Sequence, residues 1–223
     1  MNYDFVEVGT CNVGTIIQDC GDTAVGLSIE PLLMYLNDLP NKPNVKKINA
    51  ALVAPQDMSE DGMVDMYYVH PNTVSKHNLG GWLTGCNTTV KPHDFHINYF
   101  SDPVIWHTSK DRSSLPTRNL LEEGLVTHER VKCLTFAKLV EIYNVEKIEM
   151  LKTDTEGYDC ILIESILDFY ETNKGILPTK IWYESNAHTP TKQLDKLWNR
   201  LEGLGYKLQH LGEFAHDTLA VKE

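Results

Sequence analysis

Short β-prone runs alternate with helix-patterned stretches along most of this chain, and that alternation restricts the fold more than any other feature. Tyr3 to Val8, Val25 to Ile29, Val45 to Val53, Met63 to Val69, Val131 to Leu134, Ile148 to Thr153, Lys180 to Tyr183, Tyr206 to Leu211 and Thr218 to Lys222 read as strands. Between them lie segments with helical spacing. One starts near Gly14, with Val13, Ile16 and Ile17 apolar. A second starts at Pro31 and runs through Leu32, Leu33, Tyr35, Leu36 and Leu39. Thr135 is placed to cap a third that ends at Tyr143, and further helices are expected over Cys160 to Thr172 and Gln193 to Leu204. Strands alternating with helices imply an α/β fold with a mostly parallel sheet, helices on both faces and a C-terminal hairpin.

The stretch 70–129 breaks the pattern. It holds Pro71, Gly80, Gly81, Pro92, Pro103 and Pro116 among many polar residues, and little periodicity survives there. A segment this long inside one domain is expected to be functional, and Trp82, Phe95, Tyr99 and Trp106 argue for order. The reading is a single domain over 1–223 with a substrate-covering insertion at 70–129. At 223 residues, with 42% hydrophobic and 23% charged content, the chain can bury a substantial core.

Composition narrows the partners. Net charge is −11, from 31 acids against 20 bases, and no dense basic cluster stands against it, so nucleic acid is not an expected partner. No apolar run is long enough to span a bilayer, and Met1 to Phe5 lacks a secretory pattern, which makes the cytoplasm the expected compartment. The five cysteines are scattered without a C-x-x-C pair, as expected of reduced thiols.

Chemistry concentrates at the carboxyl ends of strands, where open parallel sheets bind ligands. Glu7, Gly9, Asn12 and Gly14 form a glycine turn after the first strand. Glu30 and Pro31 end the second, and a carboxylate there can hold both hydroxyls of a ribose. Asp154-Thr155-Glu156-Gly157 follows a central strand, and Glu184 ends the next one. Each feature also has a plainer explanation: an ordinary turn, a solvated acid at a helix start for Glu30, a helix cap for Asp154. Their joint placement at successive strand ends favours a nucleoside cofactor. The turn lacks G-x-G-x-x-G and carries an acid before its first glycine. That suits S-adenosylmethionine, which bears a sulfonium and an amino group, better than a dinucleotide pyrophosphate.

Several segments resemble the FkbM family of methyltransferases. Val131-Lys132-Cys133-Leu134-Thr135-Phe136 and Leu151-Lys152-Thr153-Asp154-Thr155-Glu156-Gly157-Tyr158-Asp159 look like its V-x-V-x-T-L and L-L-K-I-D-T-E-G-x-D signature. Asn49-Ala50-Ala51-Leu52 is similar to its N-A-A-V, with Ala51 beside the adenine, and Glu30-Pro31 to its ribose acid. Glu7 to Gly14 is one residue longer than the family's usual D-V-G-A-N-x-G. The resemblance implies a Rossmann-like class I methyltransferase fold and O-methylation of a sugar, a glycan or another small hydroxylated metabolite. Cofactor contacts are then expected from Glu7, Gly9, Asn12, Gly14, Glu30, Pro31, Ala51 and Asp154. Catalytic candidates are Asp154, Glu156, Glu184 and His188, with His188 also readable as a solvated loop histidine. Asp154, Glu184 and Asn186 could hold Mg2+ or Mn2+. Trp82, Trp106, Tyr158 and Trp182 are candidates to stack on a sugar, although Trp182, on a strand, also reads as core. Two other readings stay open, a catalytically silent ligand- or partner-binding relative and an NAD-dependent dehydrogenase.

Overall fold

A computed structural model describes residues 1–12, 14–100, 117–186, 189–211 and 217–222. In chain order the strands are β1 (Asn2–Val8), β2 (Gly26–Ile29), β3 (Val45–Ile48), β4 (Ala51–Val53), β5 (Met63–Tyr68) and β6 (Thr88–Thr89). They continue with β7 (Thr127–Thr135), β8 (Lys147–Thr153), β9 (Lys180–Glu184), β10 (Tyr206–Leu211) and β11 (Asp217–Lys222). The helices are α1 (Ile16–Asp19), α2 (Leu33–Asp38), α3 (Pro71–Lys76), α4 (Asp94–Ile97), α5 (Phe136–Tyr143), α6 (Asp159–Asn173) and α7 (Thr191–Gly203). The chain divides into two compact units, 1–64 with 131–223, and 65–130.

The first unit is α/β, built on a mixed seven-stranded sheet of order β3-β2-β1-β8-β9-β11-β10. Only β11 runs against the other strands of that sheet, because it returns from β10 as a hairpin and enters beside β9. The chain moves outward from β1 to β2 and β3, then comes back to lay β8 on the other side of β1. The strand order therefore reverses between β1 and β8, and a crevice opens outside the carboxyl ends of strands at such a point.

Side chains on a strand alternate between faces, and β1 divides the core accordingly. Phe5 packs with Ile17 of α1 and with Leu36 and Leu39 at α2. Val6 and Val8 belong to the larger cluster, with Leu139 of α5, Leu162 and Ile166 of α6, and Leu197 and Leu201 of α7. Thr135 caps α5 as expected, its hydroxyl accepting from the Lys138 amide at 3.3 Å. None of the five cysteines forms a disulfide, and Cys86, Cys133 and Cys160 are buried. Among the described residues, no helix is long and apolar enough to cross a membrane.

One expectation needs correction. The run 45–53 is not one strand. The chain breaks at Asn49-Ala50, so β3 pairs with β2 while β4 turns away to pair with β7. The stretch 70–129, by contrast, is largely irregular among its described residues, as its lack of periodicity implies. Residues 65–130 have a core of their own, in which Val69, Val74, Leu83, Phe95, Tyr99 and Leu120 are buried together. Its helices are capped by histidines. The Nδ1 atoms of His70 and His93 accept from the amides of Asn72 and Phe95, a role that hydropathy patterning does not display.

Gly9 fixes how closely β1 and β8 can end. Its φ is +76°, and a Cβ there would lie 2.0 Å from the Asp154 carbonyl oxygen. Gly14 has a similar φ, +68°, but open space around it. Alanine at Gly14 should cost about 1–2 kcal/mol, the left-handed penalty alone. Alanine at Gly9 adds a backbone clash and should cost at least about 3 kcal/mol. Urea denaturation of the two variants checks the order, and equal losses would remove the close approach as the reason for Gly9.

Candidate functional site

The turn leaving β1 is held at three points. At its far end the Glu7 carboxylate, with no solvent exposure, accepts from the Ile16 amide at 2.9 and 3.0 Å and from Lys152 Nζ at 3.0 Å. Lys152 also donates to the Gly14 carbonyl at 2.9 Å. Glu7 and Lys152 are register partners on β1 and β8 and so share a face of the sheet. The near end is fixed by backbone: the Gly9 amide donates to the Ile29 carbonyl and the Asp154 amide to the Val8 carbonyl, each at 3.0 Å. The middle is fixed by Cys11, whose φ is +44° and whose amide donates to Glu30 Oε2 at 2.8 Å.

Glu30 lies under that turn. Only 3% exposed, it takes the Cys11 amide on one oxygen and the Leu32 amide, at 2.8 Å, on the other. Burial pushes its carboxyl up to about 7, against the opposing effect of those amides. It is therefore not the solvated helix-start acid of the plainer reading. Pro31 follows, and Asn49 Nδ2 clamps this corner by donating to the carbonyls of Glu30 at 3.1 Å and Pro31 at 2.8 Å. Ala51 is buried on β4. Asn12 turns its amide toward Asp38, at 3.3 Å, and its carbonyl accepts from Gln18.

The second group of acids gathers past the ends of β8 and β9. One carboxylate oxygen each from Asp154, Glu156 and Glu184 lies within 4.8 Å of the others. Asp154 is not a helix cap, since α6 begins only at Asp159. It keeps solvent access while protein encloses the rest of it. That enclosure, and then the Asp159 charge, raise its carboxyl to about 7. Glu156 and Gly157 both have left-handed backbone, φ +54° and +90°, which folds the loop after β8 back over the strand ends. Such a conformation is costly for a glutamate and tends to persist at functional positions.

Burial first, and then Asp154 and Asp159, hold Glu156 well above the usual carboxylate range. Glu184 is raised in the same way by burial, with Glu156 the next cause. Its Oε1 accepts from Asn186 Nδ2, and its Oε2 is buried with no hydrogen bond among the described residues. Glu156 joins Asp154 and Glu184 in this carboxylate group, while Asn186 turns its amide nitrogen to Glu184.

Asp159 and Asp217 complete this acidic floor, and neither was singled out from sequence. Asp159 accepts from Thr153 Oγ1 at 2.5 Å and from the Thr155 amide at 3.1 Å, bracing the loop. Asp217 is the register partner of Glu184 across β9 and β11. His188 and Trp106 lie outside the described residues. The other aromatic candidates have protein partners. Tyr158 donates to Asp57 at 2.5 Å and accepts from the Ala54 amide, Trp182 lies under Lys152, and Trp82 packs on Phe95 and Tyr99.

Compared with protein-family models, with curated proteins and with solved structures, the chain matches none of them.

Glu30 generates a pH prediction. Its folded value of about 7 exceeds the ordinary 4.5, so its contribution to stability is fully present below about 4.5 and is lost as pH rises through 7. Glu30→Gln removes that loss. The stability of the variant relative to wild type should rise by about 2–3 kcal/mol between pH 5 and pH 8. Denaturation at both pH values tests this, and a pH-independent difference would place the carboxyl in the ordinary range.

Proposed function

We propose that the chain binds S-adenosylmethionine outside the carboxyl ends of β1, β2 and β8 and transfers its methyl group to a hydroxyl oxygen of a sugar, a glycan or another small hydroxylated metabolite. The observation that carries this reading is the convergence of Gly9, Glu30 and Asp154 just past three adjacent strands, at the reversal of strand order. Six strands in one direction, closed by a hairpin that inserts β11 in the other, suit the class I methyltransferase form of a Rossmann-like sheet. The resemblance at Leu151 to Asp159 adds to it.

The donor set fits the cofactor. Glu30 suits a ribose diol, because each of its oxygens keeps a lone pair beyond its one backbone hydrogen bond. Asp154 suits an ammonium, and the corner clamped by Asn49 beside Ala51 suits the adenine. Glu7 takes no ligand role here, since Lys152 and the Ile16 amide occupy its carboxylate within the fold. Adenosylmethionine supplies the methyl group on an electrophilic sulfonium. The residues supply alignment and a proton acceptor. In-line displacement requires the acceptor oxygen to be held against the methyl carbon, with a neighbouring carboxylate to take up the hydroxyl proton.

Calorimetric titration should give one saturable adenosylmethionine site, weakened at least about tenfold in Glu30→Ala, which corresponds to the loss of about 1.4 kcal/mol of binding. Thermal shifts should appear with adenosylmethionine and be absent with NAD. Failure to bind adenosylmethionine would discard the reading, and a shift with NAD alone would replace it with a dehydrogenase.

A further inference from the structure

We propose that Asp154, Glu156 and Glu184 together hold one divalent cation of the magnesium or manganese type. Two ligands of a single ion cannot lie farther apart than twice the metal–oxygen distance, which runs from about 2.0 Å for magnesium to about 2.6 Å for calcium. The three carboxylate oxygens lie within 4.8 Å of one another, inside that limit for the larger ion, and a magnesium- or manganese-sized ion reaches all three once the side chains close by under about 1 Å. All-oxygen donors select hard cations over zinc or copper.

Glu184 supplies the independent sign of a ligand. Its Oε2 is buried and accepts no hydrogen bond among the described residues, although Asn186 satisfies the other oxygen of the same carboxylate. A buried carboxylate oxygen without a donor is expensive, and the cost is removed if a cation faces it. Asp154 and Glu184 form no ion pair among the described residues, Asp217 stands opposite Glu184, and Lys152 is already committed to Glu7 and the Gly14 carbonyl. Glu156 joins the other two from a left-handed backbone position in the loop after β8.

Three protein ligands leave positions on a six-coordinate ion for water and for one further oxygen. The ion's part in the reaction rests on the methyl-transfer reading above: a coordinated acceptor hydroxyl loses its proton more readily. Cation binding itself does not depend on that reading.

Manganese is the probe, followed by the loss of the free-ion signal in electron paramagnetic resonance on the full chain without adenosylmethionine. One Mn2+ per chain should bind saturably and be displaced by excess Mg2+. Glu184→Gln and Asp154→Asn, both of unchanged size, should each weaken Mn2+ binding at least tenfold, with far-ultraviolet circular dichroism verifying that they fold. Adenosylmethionine affinity should survive in Glu184→Gln. No saturable Mn2+ binding, or unchanged binding in two folded variants, overturns the site even if adenosylmethionine binds. Mn2+ binding that Glu184→Gln abolishes, in a chain that binds no adenosylmethionine, keeps the site and removes only the methyl-transfer reading.

Discussion

The buried pair of Glu7 and Lys152 is the interaction on which the strand ends depend. Two charges withdrawn from water in the middle of a sheet destabilise a fold unless their hydrogen-bonding capacity is met. Here the carboxylate takes the Ile16 amide as well as the ammonium, and the ammonium takes the Gly14 carbonyl as well as the carboxylate. Lys152 also lies 5.4 Å from the centre of the Trp182 ring, so β1, β8 and β9 all contribute to its surroundings. The pair joins two central strands to the start of α1, and the turn between them has little freedom left. Its near end is pinned on Ile29 through the Gly9 amide and on Asp154 through the Val8 carbonyl, and its middle on Glu30 through Cys11.

The acids at these strand ends therefore fall into two kinds. Glu7 and Asp159 are saturated by protein donors and serve the fold. Asp154, Glu156 and Glu184 crowd together, one oxygen of Glu184 accepts no hydrogen bond among the described residues, and burial with repulsion from neighbouring acids raises all three. A protein tolerates such a cluster where something from outside supplies the missing positive charge or proton. The distinction comes from counting donors, since all five residues are acids near the end of a strand.

That distinction also marks how far the sequence alone could be read. Strand positions, the cap at Thr135, the closing hairpin and the grouping of Gly9, Glu30, Asp154 and Glu184 at strand ends all follow from local pattern. The duty of Glu7 does not, because its partner lies 145 residues away and a lysine in the apolar run Leu151 to Thr153 carries no label of its partner. The break at Asn49-Ala50 was hidden because apolar residues continue on both sides of it; only the pairing of β4 with β7 shows the change of direction. The core of 65–130 was hidden in the same way, since its helices are too short to show a period. The left-handed backbone of Glu156 was likewise not legible, because a positive φ at a non-glycine residue is not written in composition.

The turn after β1 has a physical consequence for the proposed cofactor. Cys11 is the residue whose amide closes over Glu30, leaving that carboxylate 3% exposed. A ribose diol reaching Glu30 has to approach the lone pairs that Cys11 and Leu32 leave unused. Donors added by the diol stabilise the ionised carboxylate over the neutral one and draw its raised value back down. Binding and ionisation at Glu30 are then linked, and the buried acid that weakens the empty fold at neutral pH is the same one that gains most when a ligand arrives.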